Sequence, residues 1–312
     1  MEQATKKGKK LMDYKSDKSY RLLRMNEQLA HGEVLRKDAL ISAFGVTPKT
    51  VQRDLESLRQ YLTETGEGEL RYDRKNDLYR LERISGGSLD PEDVFAVCKI
   101  LIESRAFNKK EFEELIGKLL LQLSPEQRLP VEARIGNERV NYLPLKHGKP
   151  LVDTLWTLAN LVTEQRLTKI WYIRKDSIPT AHLIKPVGIM FSEFYFYLIA
   201  WLANDSKDFY TVFRADRITE VEPKEERFNI PYAERFNEAE FRKRVQFMYP
   251  GKLKRVKFIY SGSSVEAVLD RLPSAQVSGK NDDGSVTVIA ESYGNGIDMW
   301  LKSQGDWVEI VE

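Results

Sequence analysis

Apolar positions along this chain recur with two different periods, and the switch between them divides it. From Ser19 the run SYRLLRMNEQLAHG sets Leu22, Leu23, Met25 and Leu29 mostly on one helical face and stops at a glycine. LRKDALISAFGV predicts a short second helix, with Leu35, Ala39, Leu40 and Phe44 apolar and Gly45 breaking it. A third helix opens at Thr47-Pro48, because threonine caps well and the N–H that proline lacks would go unpaired there anyway. Val51, Leu55, Leu58 and Leu62 give it a buried stripe. Two period-two runs, GELRYDR and DLYRLER, joined by Lys75-Asn76-Asp77, then predict a hairpin. From Ser88 to Leu123 the helical period returns in two helices, capped at Asp90-Pro91 and at Asn108. Their apolar content (Val94, Phe95, Val97, Ile100, Leu101; Phe112, Leu115, Leu119, Leu120) exceeds what a free linker needs and predicts packing on a second subunit or on the next domain.

Beyond residue 138 the period of two dominates. A helix, LVDTLWTLANLVTEQR, precedes the strands LTKIWYIRK, TAHLIKPVGIM, FYFYLIAWLA and DFYTVFRADRITEVEP, an order that predicts a small barrel or strongly bent sheet. In the third strand Phe194, Phe196, Leu198 and Ala200 point one way and Tyr195, Tyr197, Ile199 and Trp201 the other, so both faces are apolar and both expect cover. An ordinary core and a stacking surface both remain open for these rings. Residues 227 to 312 read as strand KRVKFIYSG, helix SVEAVLDRL, the hairpin QVSGK and SVTVIAES turned by NDDG, then a helix and strand in IDMWLKSQGDWVEIVE. That order predicts a small ferredoxin-like α+β unit.

Composition narrows the class. At 312 residues three domains are expected, and 42% hydrophobic with 31% charged residues describes a globular chain. No apolar run approaches the ~18 residues that cross a bilayer, and the N-terminal segment lacks the apolar core of a signal peptide, so a cytoplasmic, membrane-free protein is expected. The one cysteine, Cys98, sits in an apolar stripe as a buried thiol. Histidines 31, 147 and 182 show no metal-ligand spacing, Gly294-Asn295-Gly296 lacks the third glycine of a dinucleotide fingerprint and reads as a turn, and Asp282-Asp283-Gly284 reads as a hairpin turn. Neither metal, cofactor nor enzymatic activity is expected. The net charge of +2 is uneven: residues 1 to 62 hold thirteen Lys or Arg against eight Asp or Glu, a net of +5. A basic head fits a polyanion, although KKGKK at positions 6 to 10 alone reads as a solvated tail.

Helix, short helix, glycine turn and capped third helix is the order of a helix-turn-helix, whose last helix enters the major groove N-terminus first. TPKTVQRDLESL closely resembles the recognition helix of the DeoR-like winged helix-turn-helix family, S/T-x-R/K-T-I-x-R-D-L, with Val51 in place of isoleucine. The resemblance implies Thr47, Lys49, Thr50, Gln52 and Arg53 as DNA-binding residues, with Arg53 at the backbone and Asp54 as a scaffold ion-pairing residue. Arg71, Arg74 and Lys75 would act from the wing.

HLIKPVGIMFSEFYFYLIAW followed by FYTVFRADRITEVE closely resembles the WYL domain, a bent Sm-like sheet of bacterial transcription regulators. The frame reads His182, Pro186-Val187-Gly188, Phe196-Tyr197-Leu198 and Phe213-Arg214-Ala215-Asp216-Arg217-Ile218. Phe196 departs from the tryptophan conservatively, whereas His182 stands where the family has arginine. The resemblance implies a nucleotide or nucleic-acid ligand, bound by Arg214, Arg217 and Tyr197, with Tyr172 and Arg174 on the same surface and His182 either tuning the site or marking a different ligand. Asp216 is expected to pair with Arg217 or Arg174. The ending Asp298-Met299-Trp300-Leu301 resembles the WCX extension that follows many WYL domains, with Trp300 a packing anchor.

The expected organisation is a multidomain α+β chain: a basic tail at 1–18, a winged helix-turn-helix at 19–84, a helical linker and dimerisation element at 85–137, an Sm-like WYL sensor at 138–224, and a WCX unit at 225–312. Such a chain is expected to be a homodimeric regulator of an operator in double-stranded DNA, a repressor by preference. A nucleotide or oligonucleotide would be its effector, and a phage-defence or DNA-damage operon its target. The alternative is a nucleic-acid-processing accessory protein that holds single strands on the WYL sheet.

Overall fold

The computed structural model describes residues 17–30, 32–82, 89–174, 178–205 and 207–311; the KKGKK run and His31 lie outside them. It is a mixed α/β chain with antiparallel sheets, divided into two compact units, Met1–Glu103 with Glu113–Tyr142, and Ser104–Phe112 with Leu143–Glu312.

In the first unit, helices α1 (Lys18–Ala30), α2 (Lys37–Phe44) and α3 (Pro48–Glu64) precede a hairpin of β1 (Glu69–Asp73) and β2 (Leu78–Glu82). Gly45 closes α2 in the left-handed region at φ 65°, and the Thr47 hydroxyl accepts the Thr50 N–H to start α3. Val51, Leu55, Leu58 and Leu62 are buried against Met25, Leu29, Leu40, Leu70 and Tyr79. Leu35 was expected inside α2. Instead it pairs with Tyr79 in an isolated bridge, each backbone N–H donating to the other's carbonyl, which ties the hairpin down before the helix begins. The buried ion pair Arg21–Asp54, 2.6 Å, joins α1 to α3.

Three helices follow where the apolar periodicity predicted two: α4 (Pro91–Ser104), α5 (Lys109–Leu120) and α6 (Pro125–Val140). The last is started by a capping box, Ser124 with Gln127, behind Pro125. Pro130 and a weak apolar stripe hid it from periodicity. Cys98 is fully buried in α4, and that burial pushes its thiol up. The Asn108 side chain accepts the Glu111 N–H, as its predicted capping role requires.

The second unit is built on helix α7 (Val152–Thr163) and strands β3 (Arg166–Tyr172), β4 (Thr180–Ser192), β5 (Tyr195–Leu202), β6 (Thr211–Arg214) and β7 (Ile218–Arg227), in the antiparallel order β6-β5-β4-β3-β7. The run from Asp208 to Pro223 was expected as one strand. Ala215–Arg217 instead forms a single 3-10 turn, which sends β6 and β7 to opposite edges of the sheet. The inner strand β5 is covered on both faces, as its pattern predicted. Leu198 and Ala200, with Phe196, pack on Leu158 and Leu161 of α7. Ile199, with Tyr197 and Trp201, packs on Phe241 and Met248.

Segment 104–112 belongs to this unit. Phe107 meets Phe196 at 5.6 Å, and the Glu111 carboxylate accepts the Leu151 and Val152 N–H groups at 2.7 and 2.8 Å. Residue 151 offers α7 no side-chain cap, so Glu111 satisfies its first donors from elsewhere in the chain. Helix α8 (Glu238–Arg244) leads to β8 (Leu253–Tyr260), α9 (Val265–Arg271), β9 (Gln276–Lys280), β10 (Val286–Tyr293), α10 (Gly296–Ser303) and β11 (Val308–Ile310), with sheet order β11-β8-β10-β9. Val256, Phe258, Val288 and Ala290 are buried under Val268, Ile297 and Leu301, with Trp300 packed beside them. Gly294 turns at φ 61° with its backbone against the Tyr249 and Pro250 carbonyls, where a side chain would collide.

Candidate functional site: a cationic aromatic cleft and a basic helix face

One end of the five-stranded sheet opens into a cleft of about 390 Å³. Tyr172 ends β3, Arg174 lies just beyond it, Thr180 and His182 come from β4, Thr211 to Phe213 from β6, and Arg217 from the 3-10 turn; Leu202 and Lys207 complete the wall. Antiparallel pairing sets Tyr172 opposite Thr180 and Ile170 opposite His182. The rings of Tyr172 and Phe213 meet edge to face at 5.1 Å, with His182 at 5.4 Å from Phe213. The Tyr172 hydroxyl accepts the Arg214 N–H at 3.3 Å, so the ring is anchored at both ends.

Among the described residues the lining holds three cations, Arg174, Lys207 and Arg217, and no carboxylate. Lys207 pairs with Asp205 at 2.9 Å, outside that lining. Arg217 has no acidic partner within salt-bridge distance among the described residues. A guanidinium without an acid beside aromatic edges is suited to phosphate gripped bidentately and to a planar base. Burial pushes His182 down, and Arg174 adds to the effect, so at neutral pH its imidazole is an uncharged hydrogen-bonding wall.

The cleft gathers four of the residues singled out in the sequence, Tyr172, Arg174, His182 and Arg217, and sets the other two apart. Arg214 is held by both oxygens of Asp216, at 3.0 and 2.7 Å, with its guanidinium 3.4 Å from the Tyr195 ring centre. The partner of Asp216 is therefore Arg214, not Arg217 or Arg174: in the 3-10 turn the side chains two apart close on each other. Tyr197 lies directly across the strand pair from Arg214 but packs in the cluster of Ile199 and Phe241. Burial pushes its hydroxyl up to about 12, with Arg214 opposing. Lys207, Thr180, Thr211 and Phe213 were not singled out as site residues. Phe213 stood in the FRADRI run, one position from Arg214 and of opposite parity, whereas nothing local marked Lys207.

His182 and His147 give the second unit a definite pH response. Burial lowers both, so the unfolded chain takes up protons before the folded one, beginning near the ordinary value of 6.5. Stability present at pH 7.5 is expected to fall as the pH drops through that value. Melting followed by near-ultraviolet circular dichroism between pH 7.5 and 5.5 checks this, and a His147→Gln/His182→Gln variant should have a flatter profile.

On the first unit, Lys49, Gln52 and Arg53 are exposed on α3, and Arg74 and Lys75 at the hairpin turn. None of those four cations has an acidic partner among the described residues. Thr47 and Thr50 bond each other through their hydroxyls at 2.9 Å, within the cap. Arg71 is engaged by Glu69 and Glu82 at 3.2 and 3.0 Å. Arg36, which the pattern did not suggest, donates to the Asn76 carbonyl at 3.3 Å and ties the hairpin turn to the start of α2.

Residues 153–223 match the family model of the WYL domain, so the chain carries that domain across α7 and the five-stranded sheet. Among solved structures it is similar to proteasome accessory factor B/C (PafBC) of Arthrobacter aurescens, at 15% identity and a TM-score of 0.30, covering 94% of this chain and 44% of that one. It is also similar to a CRISPR Cas-related protein, at 12% identity and a TM-score of 0.36, covering 86% of this chain and 69% of that one. The chain thus spans less than half the length of the PafBC structure. No curated protein matches it. No helix among the described residues is long and apolar enough to cross a membrane.

Proposed function

We propose that this chain is a sequence-specific DNA-binding transcription regulator whose operator affinity responds to a nucleotide or nucleic-acid ligand held by the WYL domain. The cleft carries the reading: three cations and three aromatic or imidazole rings converge there, with no carboxylate among the described lining residues. The WYL match over 153–223 supports the class. In this reading α1 to α3 with the hairpin act as a winged helix-turn-helix, and Lys49, Thr50, Gln52 and Arg53 face base edges and phosphates. Arg74 and Lys75 add wing contacts. The bent five-stranded sheet is the Sm-like sensor, and the β11-β8-β10-β9 unit a ferredoxin-like WCX extension. A homodimer would match an operator of two half-sites, and occluding a promoter, whether for phage defence or DNA repair, requires nothing more. The chain catalyses no reaction, binds no cofactor and works in the cytoplasm. Ligand acts by linkage, shifting operator affinity by no more than its differential affinity for two arrangements.

The test has two arms. Gel shifts at several salt concentrations should show tighter binding to the DNA upstream of the protein's own gene than to a scrambled duplex. Equal binding would favour the accessory-protein alternative. Titration with adenosine 5′-monophosphate should show saturable binding, weakened about tenfold or more by Arg217→Ala, the loss of one charge-assisted bidentate contact. Unaltered binding in that variant would remove the cleft from the mechanism.

A further inference from the structure

The Pro186-Val187-Gly188 run plays no part in the cleft, yet the fold spends an irregularity on it. Pro186 pairs with Ala200 and Gly188 with Ile199, so Val187 is an extra residue, a β-bulge in the longest pairing of the five-stranded sheet. Bulges re-aim side chains and cluster beside binding sites. Here the bulge forms the floor of a separate cavity of about 260 Å³, which shares no residue with the cleft. Phe228, Ile230 and Phe236 wall it with Pro186 and Val187.

These walls are preformed. Gln165, in the left-handed region at φ 49°, accepts the Phe228 N–H on its carbonyl at 2.9 Å and the Ile230 N–H on its side chain at 2.7 Å. Phe236 approaches the strand this closely only because residue 188 is glycine: a Cβ there would stand 2.6 Å from the ring. At the mouth are Arg235 and Glu238, both exposed. They are three residues apart and of opposite charge, yet among the described residues neither forms an ion pair, with the other or with anything else. The Glu238 carboxylate nevertheless reaches the floor, 3.3 Å from where a Gly188 Cβ would be.

We infer that this cavity is a second ligand site, which binds a free apolar amino acid as its zwitterion. At about 260 Å³ it falls below the ~300 Å³ at which pockets for drug-sized molecules begin, so it suits a compact ligand. The apolar floor takes the hydrocarbon or aromatic side chain. Arg235 takes the carboxylate through two N–H donors, and Glu238 takes the ammonium group. The site stands independently of the nucleotide reading of the cleft.

Calorimetric titration of the full chain with L-phenylalanine and L-leucine tests it, beside N-acetyl-L-phenylalanine, which lacks the ammonium, and L-phenylalaninamide, which lacks the carboxylate. At least one free amino acid should bind saturably, and each masked analogue about tenfold or more weakly, because one charged hydrogen-bonding group is then left without its partner. Arg235→Gln and Glu238→Gln should each reproduce that loss for the free amino acid. Both residues are exposed, so their melting temperatures should not change. Adenosine 5′-monophosphate binding should be the same in these variants as in the parent, whatever its strength. The inference is overturned if neither amino acid binds with a Kd of about 1 mM or tighter. It is equally overturned if masked analogues bind as well as free ones, or if the two glutamine variants bind normally.

Discussion

Asp54→Ala is expected to cost the first unit about 3–5 kcal/mol, the range measured when one partner of a buried ion pair is removed. The pair Arg21–Asp54 is 2.6 Å apart with side chains only 5% and 3% exposed. Deleting the carboxylate takes the acidic partner at 2.6 Å away from a guanidinium in a site that water barely reaches. Domains of this size are stable by roughly 5–15 kcal/mol in total, so most of the margin would go. The loss should appear as a lower denaturant midpoint for the helical signal, and the proposed DNA binding should weaken alongside, because the exposed Lys18–Ser57 hydrogen bond then stands in for the buried ion pair as a charged tie of α1 to α3. A double variant, Arg21→Met with Asp54→Leu, should recover much of the stability, since an apolar pair of similar volume has no charge to strand. An unchanged midpoint in Asp54→Ala would mean that water reaches Arg21 in solution.

The second large effect separates two neighbours in one turn. Asp216→Ala is expected to cost about 3 kcal/mol, the lower end of the same range, because Arg214 is 21% exposed and solvent relieves part of its stranded charge. Arg217→Ala, one residue on, should change stability by no more than about 0.5 kcal/mol, as surface substitutions do, while removing a cation from the cleft. Thermal melts and ligand titrations of both variants check the division. If Asp216→Ala melted like the parent while losing ligand, Arg214 and Asp216 would belong to the binding site and not to its frame.

Much of this was legible along the chain because it was local. The Thr47-Pro48 start of α3, the stripe Val51, Leu55, Leu58 and Leu62, and the two-faced apolar strand at 194 to 201 each follow from a period or a cap that a few adjacent residues carry. Helix α6 escaped because Pro130 and scattered polar residues blurred its period, although Ser124 and Gln127 had marked its start. The break of β6 from β7 escaped because nothing in the composition of TVFRADRITE announces a turn. That turn is enforced by Asp216 closing on Arg214 and by the Ile173 N–H donating to the Arg217 carbonyl from another strand.

The sequence by itself determined most of the helices and strands, the faces they bury, and which residue types stand ready for phosphate or base. Tertiary structure alone decided which of them meet. Arg214 and Arg217 look equivalent in FRADRI, but the 3-10 turn closes Asp216 on the first and leaves the second lining the cleft. Period-two parity gives a side chain's face and says nothing of what another strand brings to it, so Tyr197 packs away from the cleft while Lys207, with no motif around it, lines it.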